Sequence, residues 1–401
     1  MQAAEARALG ALAGSAIAGT AARTAELHAA ILARTPARRT GVGAVHDAIA
    51  RPVYAAVRGI SAGVATAAGA GAAAVCRPDA PAFGDSRAGA VALGAVCGLY
   101  GDRVEREHAA LAPAMAVRAA GRAVATEPAA LAAAFPGAAP RLAVFVHGLC
   151  ETEAAWRLFA PPEGPATYGD RLERDLGHTP VYLRYNTGLA VDENARRLTA
   201  LLEALVGAWP VEVEELVLVG HSLGGLVVVH ACHAADRDGA AWRRVLRHVV
   251  CLASPHHGAP LAKGAHVAAA ALTRVPETRP FARVLELRSA ATRDLRHGGV
   301  EEVPFVDGVG YYALSATVTR DAAHPLGRVV GDLLVRSASA AGQGREVPFA
   351  LGHGHHAGGL THFHVLNDPA VYRRVLDWLA PAGGAGAGRR RGPAIAGSAA
   401  G

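Results

Sequence analysis

The residues with the clearest chemical arrangement lie at 216–229, Leu-Val-Leu-Val-Gly-His-Ser-Leu-Gly-Gly-Leu-Val-Val-Val. A β-type apolar run leads into Gly220-His221-Ser222-Leu223-Gly224, a G-x-S-x-G pattern, and a helix-compatible run follows. A serine between a strand and a helix on so tight a turn is a nucleophile elbow. Gly220 and Gly224 stand two residues to either side, where a side chain would clash with the closely approaching strand and helix. The Ser222 hydroxyl is then held at a helix N-terminus, whose amides and dipole favour negative charge. A serine alone is a weak nucleophile, so a base and an oxyanion site must accompany it. Upstream, Leu142-Ala143-Val144-Phe145-Val146-His147-Gly148-Leu149 reads as a strand ending in His-Gly, a turn able to aim the next amide at the serine. The amides of Leu149 and Leu223 are therefore the expected oxyanion hole. His147 reads as structural in that turn, because the base is expected downstream of the serine.

These groups need a scaffold that brings strand ends together. Short apolar runs at Leu142–Val146, Val181–Tyr185, Leu216–Gly220, Val249–Ala253 and Tyr311–Ala316 alternate with amphipathic stretches such as Glu193–Val206 and Leu226–Ala235. Strands alternating with helices predict βαβ units and a parallel sheet covered on both faces. A final helix is signalled by Asp368 as cap, Pro369 in the first turn, and Val371, Val375, Leu376 and Leu379 as its buried stripe. Residues 1–138 are Ala-rich and should be mostly helical, broken by Gly and Pro. Within them Ala44–Gly59 places Val45, Ile49, Val53, Tyr54 and Val57 on one stripe of a helix. Two readings remain open for it: a cap on the following domain, or a surface that docks lipid or protein.

The motifs V-H-G-L at 146–149, G-H-S-L-G-G at 220–225, S-P-H-H-G-A-P at 254–260, G-D-L-L-V at 331–335 and T-H-F-H-V-L at 361–366 resemble those of the α/β-hydrolase superfamily. The likeness is to its bacterial lipase-like and PGAP1-like serine esterases, over about residues 140–380. The resemblance implies a mostly parallel sheet flanked by helices, here with an Ala-rich helical N-terminal extension. It also implies a chain order of serine, acid, histidine. In the family the base precedes the last helix in a pattern like H-F-x-x-L. That selects His362, with His364 as the runner-up; His364 stands where members often carry an acidic residue. The family's D-G-x-V pattern selects Asp332, with Leu333 in place of Gly, over Asp321 and Asp307. The resemblance implies a carboxylic ester substrate, most simply a lipid ester, and no cofactor. An acyltransferase, thioesterase or amidase would use the same apparatus, and a catalytically idle lipid- or protein-binding module is the rival from another class.

Further residues are less specific. Trp156, Phe159 and Tyr168 follow the oxyanion turn and, with His221 beside the serine, are candidates to line a substrate pocket. Core packing competes for each aromatic. His353, His355 and His356 form a Gly/His stretch that reads as a flexible loop, since no carboxylate or Cys spacing completes a metal site. His256 and His257 read as rim residues. Residues 255–310 read as a lid-like insertion or as plain crossover helices, in particular Ala268–Leu272 and Phe281–Leu295. The expected organisation is 1–138 helical, 139–382 catalytic, and a disordered Gly/Ala/Arg tail at 383–401.

Composition sets the outer bounds. The chain has 401 residues, 51% of them hydrophobic, which excludes wholesale disorder. Net charge is +6, of which Arg389, Arg390 and Arg391 supply a terminal cluster; the rest is too even to suggest nucleic acid. Lys263 is the one lysine. Five widely spaced cysteines suit a reducing compartment better than a disulfide framework. Residues 1–7 make a poor secretory leader, and the apolar run Ile60–Cys76 is Ala/Gly-rich and short for a membrane span. The expectation is a cytoplasmic protein, with peripheral contact at a lipid surface left open.

Overall fold

The computed structural model describes residues 1–33, 41–162, 164, 166–257, 289–297, 303–321, 324–342, 349 and 353–380. The Ala-rich start forms two long helices, α1 (Ala3–Ala33) and α2 (Gly41–Ala74). They pack through small residues: Gly10 lies against the backbones of Ala65 and Gly69, and Gly14 against Ala62. Because that glycine–alanine seam faces the partner helix, the β-branched stripe points away. Val45, Ile49, Val53 and Val57 are 62%, 61%, 53% and 45% exposed, so the stripe does not cap the neighbouring domain. Tyr54 leaves the stripe and its hydroxyl meets His28 Nδ1 at 3.1 Å. Among the described residues no helix is long and apolar enough to cross a membrane.

A third helix, α3 (Arg87–Glu107), starts at Ser86, whose side chain accepts the Gly89 amide. The chain then enters an eight-stranded sheet ordered β2-β1-β4-β3-β5-β6-β7-β8, with a short helix, α4 (Pro128–Ala134), between β2 and β3. Its strands are β1 (Ala116–Ala119), β2 (Arg122–Val124), β3 (Arg141–Val146), β4 (His178–Arg184), β5 (Glu215–His221), β6 (Leu246–Leu252), β7 (Gly310–Thr317) and β8 (Gly354–Gly358). The β1–β2 and β1–β4 pairs are antiparallel and every other pairing is parallel. The sheet therefore begins at Ala116, upstream of the boundary expected at residue 139. Its first hairpin escaped notice because β1 buries Arg118 and β2 is largely exposed, so neither shows an apolar run. The Gly/His stretch expected as a flexible loop is strand β8, paired with β7 from Gly354 to Gly358.

Alternation along the central strands divides the core into two layers. Leu142, Val144, Leu216 and Leu218 face α6 (Val191–Ala208) and α7 (Leu223–Asp238), where Leu198, Leu202 and Val227 are buried. Ala143, Phe145, Val217 and Val219 face α5 (Tyr168–Leu176) and the C-terminal helix Pro369–Leu379. That helix is capped as expected, Asp368 accepting the amides of Ala370 and Val371. Of the lid-like insertion, 258–288 and 298–302 lie outside the described residues, as does the tail from 381. Within the described part, Ala290–His297 is a helix tied to its surroundings: Ser289 donates to Gly98 O at 2.7 Å, and Asp294 accepts the Val191 amide at 3.0 Å.

The N-terminal region is fastened to the sheet by a buried charge cluster. Arg184 on β4 grips Glu153 through Nε at 2.6 Å and also through Nη2, while Arg118 on β1 reaches Glu153 at 3.4 Å and Asp85 at 2.8 Å. Burial opposes ionisation of Glu153, but the Arg184 hydrogen bonds and charge, with Arg118 behind them, outweigh it and hold the carboxyl below its usual range. A depressed folded pKa gives stability that is present above the unfolded value of about 4.3 and lost as pH falls through the folded value. Glu153→Gln should therefore lower the melting temperature at pH 7 and flatten its decline between pH 5 and 3. Thermal melts across that range, with the variant parallel to the wild type, would contradict the assignment.

Candidate active site

The turn between β5 and α7 is where the sequence places the nucleophile. Ser222 has φ 51° and ψ −122°, a left-handed conformation that a non-glycine residue adopts only under constraint. The constraint is visible. The Ser222 amide donates to Leu252 O at 2.8 Å, anchoring the turn to β6. A Cβ on Gly220 would lie 2.5 Å from Gly225 Cα, and one on Gly224 would lie 2.6 Å from His147 O, so both glycines are required by close backbone approach. Ser222 is 9% exposed at the head of α7.

Two loops converge on this elbow. His362 and Asp332 are both buried, with His362 Nδ1 2.8 Å from Asp332 Oδ2. The other carboxylate oxygen, Oδ1, accepts the amides of Leu334 and Val335 at 3.0 and 2.8 Å, and the His362 amide donates to Asp332 O at 2.9 Å. Asp332 is thus fixed in orientation as well as place. The base loop meets the elbow through His221, whose Nε2 is 3.1 Å from His362 O and whose ring centroid is 4.8 Å from that of His362. The rival candidates sit elsewhere. His364 is exposed, bonded to Thr361 Oγ1 at 2.6 Å and stacked on Phe159 at 4.1 Å. Asp307 and Asp321 are exposed. His353 bonds the Tyr311 carbonyl, and His356 in β8 meets Thr317 and Ser315.

The loop after β3 completes the arrangement. Gly148 packs so close to the elbow that a Cβ there would be 3.0 Å from Ser222 Cβ. The amides of Gly148, Cys150 and Glu151 are committed, to Glu151 Oε2, Thr187 Oγ1 and Gly148 O respectively. Leu149 lies between them. Leu223 opens α7, and no intrahelical carbonyl can accept its amide. His147 is buried, stacked on Tyr185 at 4.6 Å, with burial the main force lowering its pKa, which suits a neutral structural ring.

Of the pocket candidates, Trp156 is buried core, 5.0 Å from Phe145 between centroids, and Phe159 is exposed on His364. Tyr168 is buried and donates to Val365 O at 2.7 Å, supporting the base loop from below. His221 is fully buried with both ring nitrogens engaged, so it cannot line an open pocket. Sequence reasoning missed Asn367, whose Oδ1 accepts the Tyr168 amide and whose Nδ2 donates to Trp156 O and Leu158 O. It also missed Glu151, which accepts from Gly148 and pairs with His221 at 3.0 Å. Neither belongs to a local pattern; an acid next to the expected oxyanion turn is the one sequence signal that could have found Glu151.

Residues 183–278 match the family model described as the PGAP1-like alpha/beta domain. No curated protein matches. Among solved structures, the mature lipase BlEst2 of Bacillus licheniformis is similar at 19% identity and TM-score 0.41, over 59% of this chain and 90% of that one. EstA from Clostridium botulinum is similar at 14% identity and TM-score 0.41, over 61% and 88%. The metagenomic carboxyl esterase MGS0156 is similar at 17% identity and TM-score 0.36, over 60% and 76%.

The loop after β3, the candidate oxyanion loop, rests on α3. Gly94 and Gly98 lie against Cys150, Glu151 and Thr152, and a Cβ on Gly98 would overlap Cys150 Sγ and sit 2.7 Å from the Cys150 amide nitrogen. Gly98→Ala should displace this loop, costing about 1–3 kcal/mol of stability, with a loss in the labelling rate of Ser222 by a serine-reactive probe. Gly137→Ala, where nothing lies within 4 Å, is the control and should leave both unchanged. Equal behaviour of the two variants would show that α3 does not brace the loop.

Proposed function

We propose that this chain, an α/β-hydrolase of the lipase-like family, hydrolyses carboxylic esters through Ser222, His362 and Asp332. The observation that carries the reading is the strained Ser222 between β5 and α7, with a buried His362–Asp332 pair held at 2.8 Å and the His362 loop joined to that elbow. Nδ1 of His362 carries the proton shared with Asp332, which leaves Nε2 as the base. His362 takes the Ser222 proton as Oγ attacks the ester carbonyl. The amides of Leu149 and Leu223 hold the oxyanion, and Asp332 steadies the imidazolium. Collapse of the tetrahedral intermediate transfers that proton to the departing alcohol. Water, deprotonated by His362, then releases the acyl group and restores the serine.

Lipid esters are the substrate class we favour. Leu158, Phe159, Leu333 and Phe363 are 41%, 53%, 57% and 38% exposed, and they flank the loops that carry the triad. Leu333 follows Asp332, Phe363 follows His362, and Phe159 stacks on His364. Apolar side chains left in water around a reactive serine suit an acyl chain better than a polar substrate.

Ser222→Ala should abolish both fluorophosphonate labelling and p-nitrophenyl ester turnover. His362→Ala should cost at least about a thousandfold in kcat, against less than about tenfold for His364→Ala; the reverse order would move the base by two residues. Initial rates on p-nitrophenyl acetate through palmitate should favour the longer chains. Activity confined to acetate would remove the lipid assignment while leaving the esterase.

A further inference from the structure

We propose that Glu151 and His221 form a buried ionised clamp that positions the base loop and the oxyanion loop on the same elbow. The proposal deepens the hydrolase reading above and rests on it. It starts from hydrogen-bond bookkeeping around one ring. Nδ1 of His221 faces the Glu151 carboxylate, at 3.0 Å from Oε1 and 3.2 Å from Oε2. Nε2 faces the main-chain oxygen of His362 at 3.1 Å. An ionised carboxylate and a carbonyl only accept, so each nitrogen must carry a proton. A neutral ring would point a lone pair at one of these oxygens. The ring is therefore an imidazolium.

The carboxylate side supports the same reading. Glu151 Oε2 accepts the Gly148 amide at 2.7 Å, a bond that an ionised oxygen makes more strongly than a neutral carboxyl oxygen does. Burial alone would neutralise both partners. For His221 it is outweighed by the charge and hydrogen bond of Glu151, and its pKa moves up; for Glu151 it is outweighed by His221 and the Gly148 amide, and its pKa moves down. The other titratable groups facing this pair are His147 and Cys150, on the same loop as Glu151, Tyr185 after β4, and Asp332 and His362 on the base side; burial raises the pKa of both Tyr185 and Cys150, which keeps them neutral. His147 is held neutral by burial and adds no competing charge.

The clamp joins three chain segments through one ring. Glu151 ties the turn carrying Leu149; His221 is the residue before the nucleophile; the His362 carbonyl belongs to the base itself. A charge-assisted bond at each junction holds better than a neutral one. Both residues act through others and touch no reacting atom, so they are positioning residues.

Glu151→Gln keeps the volume and an acceptor for Gly148 but removes the charge. We expect kcat on a p-nitrophenyl ester to fall about 10–100-fold with KM within about twofold, as for a misplaced catalytic group. Glu151→Asp, which keeps the charge, should recover part of the loss. Independently of turnover, 15N spectra of histidine-labelled wild type at pH 7.5, assigned with His221→Gln, should show His221 doubly protonated; in Glu151→Gln it should be neutral. A neutral His221 in the wild type overturns the clamp even if the variant fails to fold. Wild-type kcat in Glu151→Gln, or a change in KM alone, overturns it as well. A wild type that neither reacts with fluorophosphonate nor turns over esters removes the hydrolase reading instead, while the ring spectra still decide the clamp.

Discussion

Everything at the site depends on the backbone at Ser222 being held where an ordinary residue does not go. A left-handed non-glycine residue costs on the order of 1–3 kcal/mol, so the surroundings must over-determine it. They do so from both sides. β5 is locked between β3 and β6, and α7 buries Leu223, Leu226, Val227 and Val228 in the same core. Strand and helix are each too well packed to move, and the chain between them has room only for glycine at 220 and 224. The serine is thereby pushed out of regular structure, with its neighbour's amide free at the helix start.

The second feature is how the remaining groups reach this fixed point. The proposed base, acid and oxyanion amides all lie at the carboxyl ends of parallel strands, where an open α/β sheet gathers its sites. Loops are cheap to vary but poor at holding geometry, so their order must come from side chains. Here Asn367 links the base loop to Tyr168, Trp156 and Leu158. Asp332 is pinned by two amides of its own turn. The buried Glu151–His221 pair lies among these links, and a charge pair in that setting has a cost in desolvation that only close, fully used hydrogen bonds offset.

Much of this was legible in the sequence, for a physical reason. The five central strands are buried on both faces, so they read as continuous apolar runs, and the elbow glycines are dictated locally. The C-terminal helix likewise announced itself through Asp368 and Pro369. What stayed hidden depended on partners far along the chain. β1 and β2 are short, and one buries an arginine whose counter-ions come from residues 85 and 153. β8 is an edge strand of Gly and His that pairs only because β7 offers a free side. The stripe on α2 is apolar as its spacing predicts, but of its two readings the cap on the neighbouring domain does not form, since helix pairing follows the glycine–alanine seam instead. Glu151 carried a charge where burial was not yet evident.

The N-terminal region divides along the same logic. α1 and α2 meet mainly each other, through a seam of small residues that leaves β-branched side chains in water. α3 differs. Its glycines at 94, 98 and 101 let its backbone press against the oxyanion loop and the turn after β4, where Asn186 donates to Gly101 O at 2.9 Å. Ser289 reaches back to the same helix from the far side of the chain. A helix so placed cannot be an appendage, because any larger residue on that face would shift the turn that carries Leu149. Residues before 139 thus contain two kinds of structure: a pair of long helices joined to the rest through the start of α1, and a helix and strands that set the turn beside the serine.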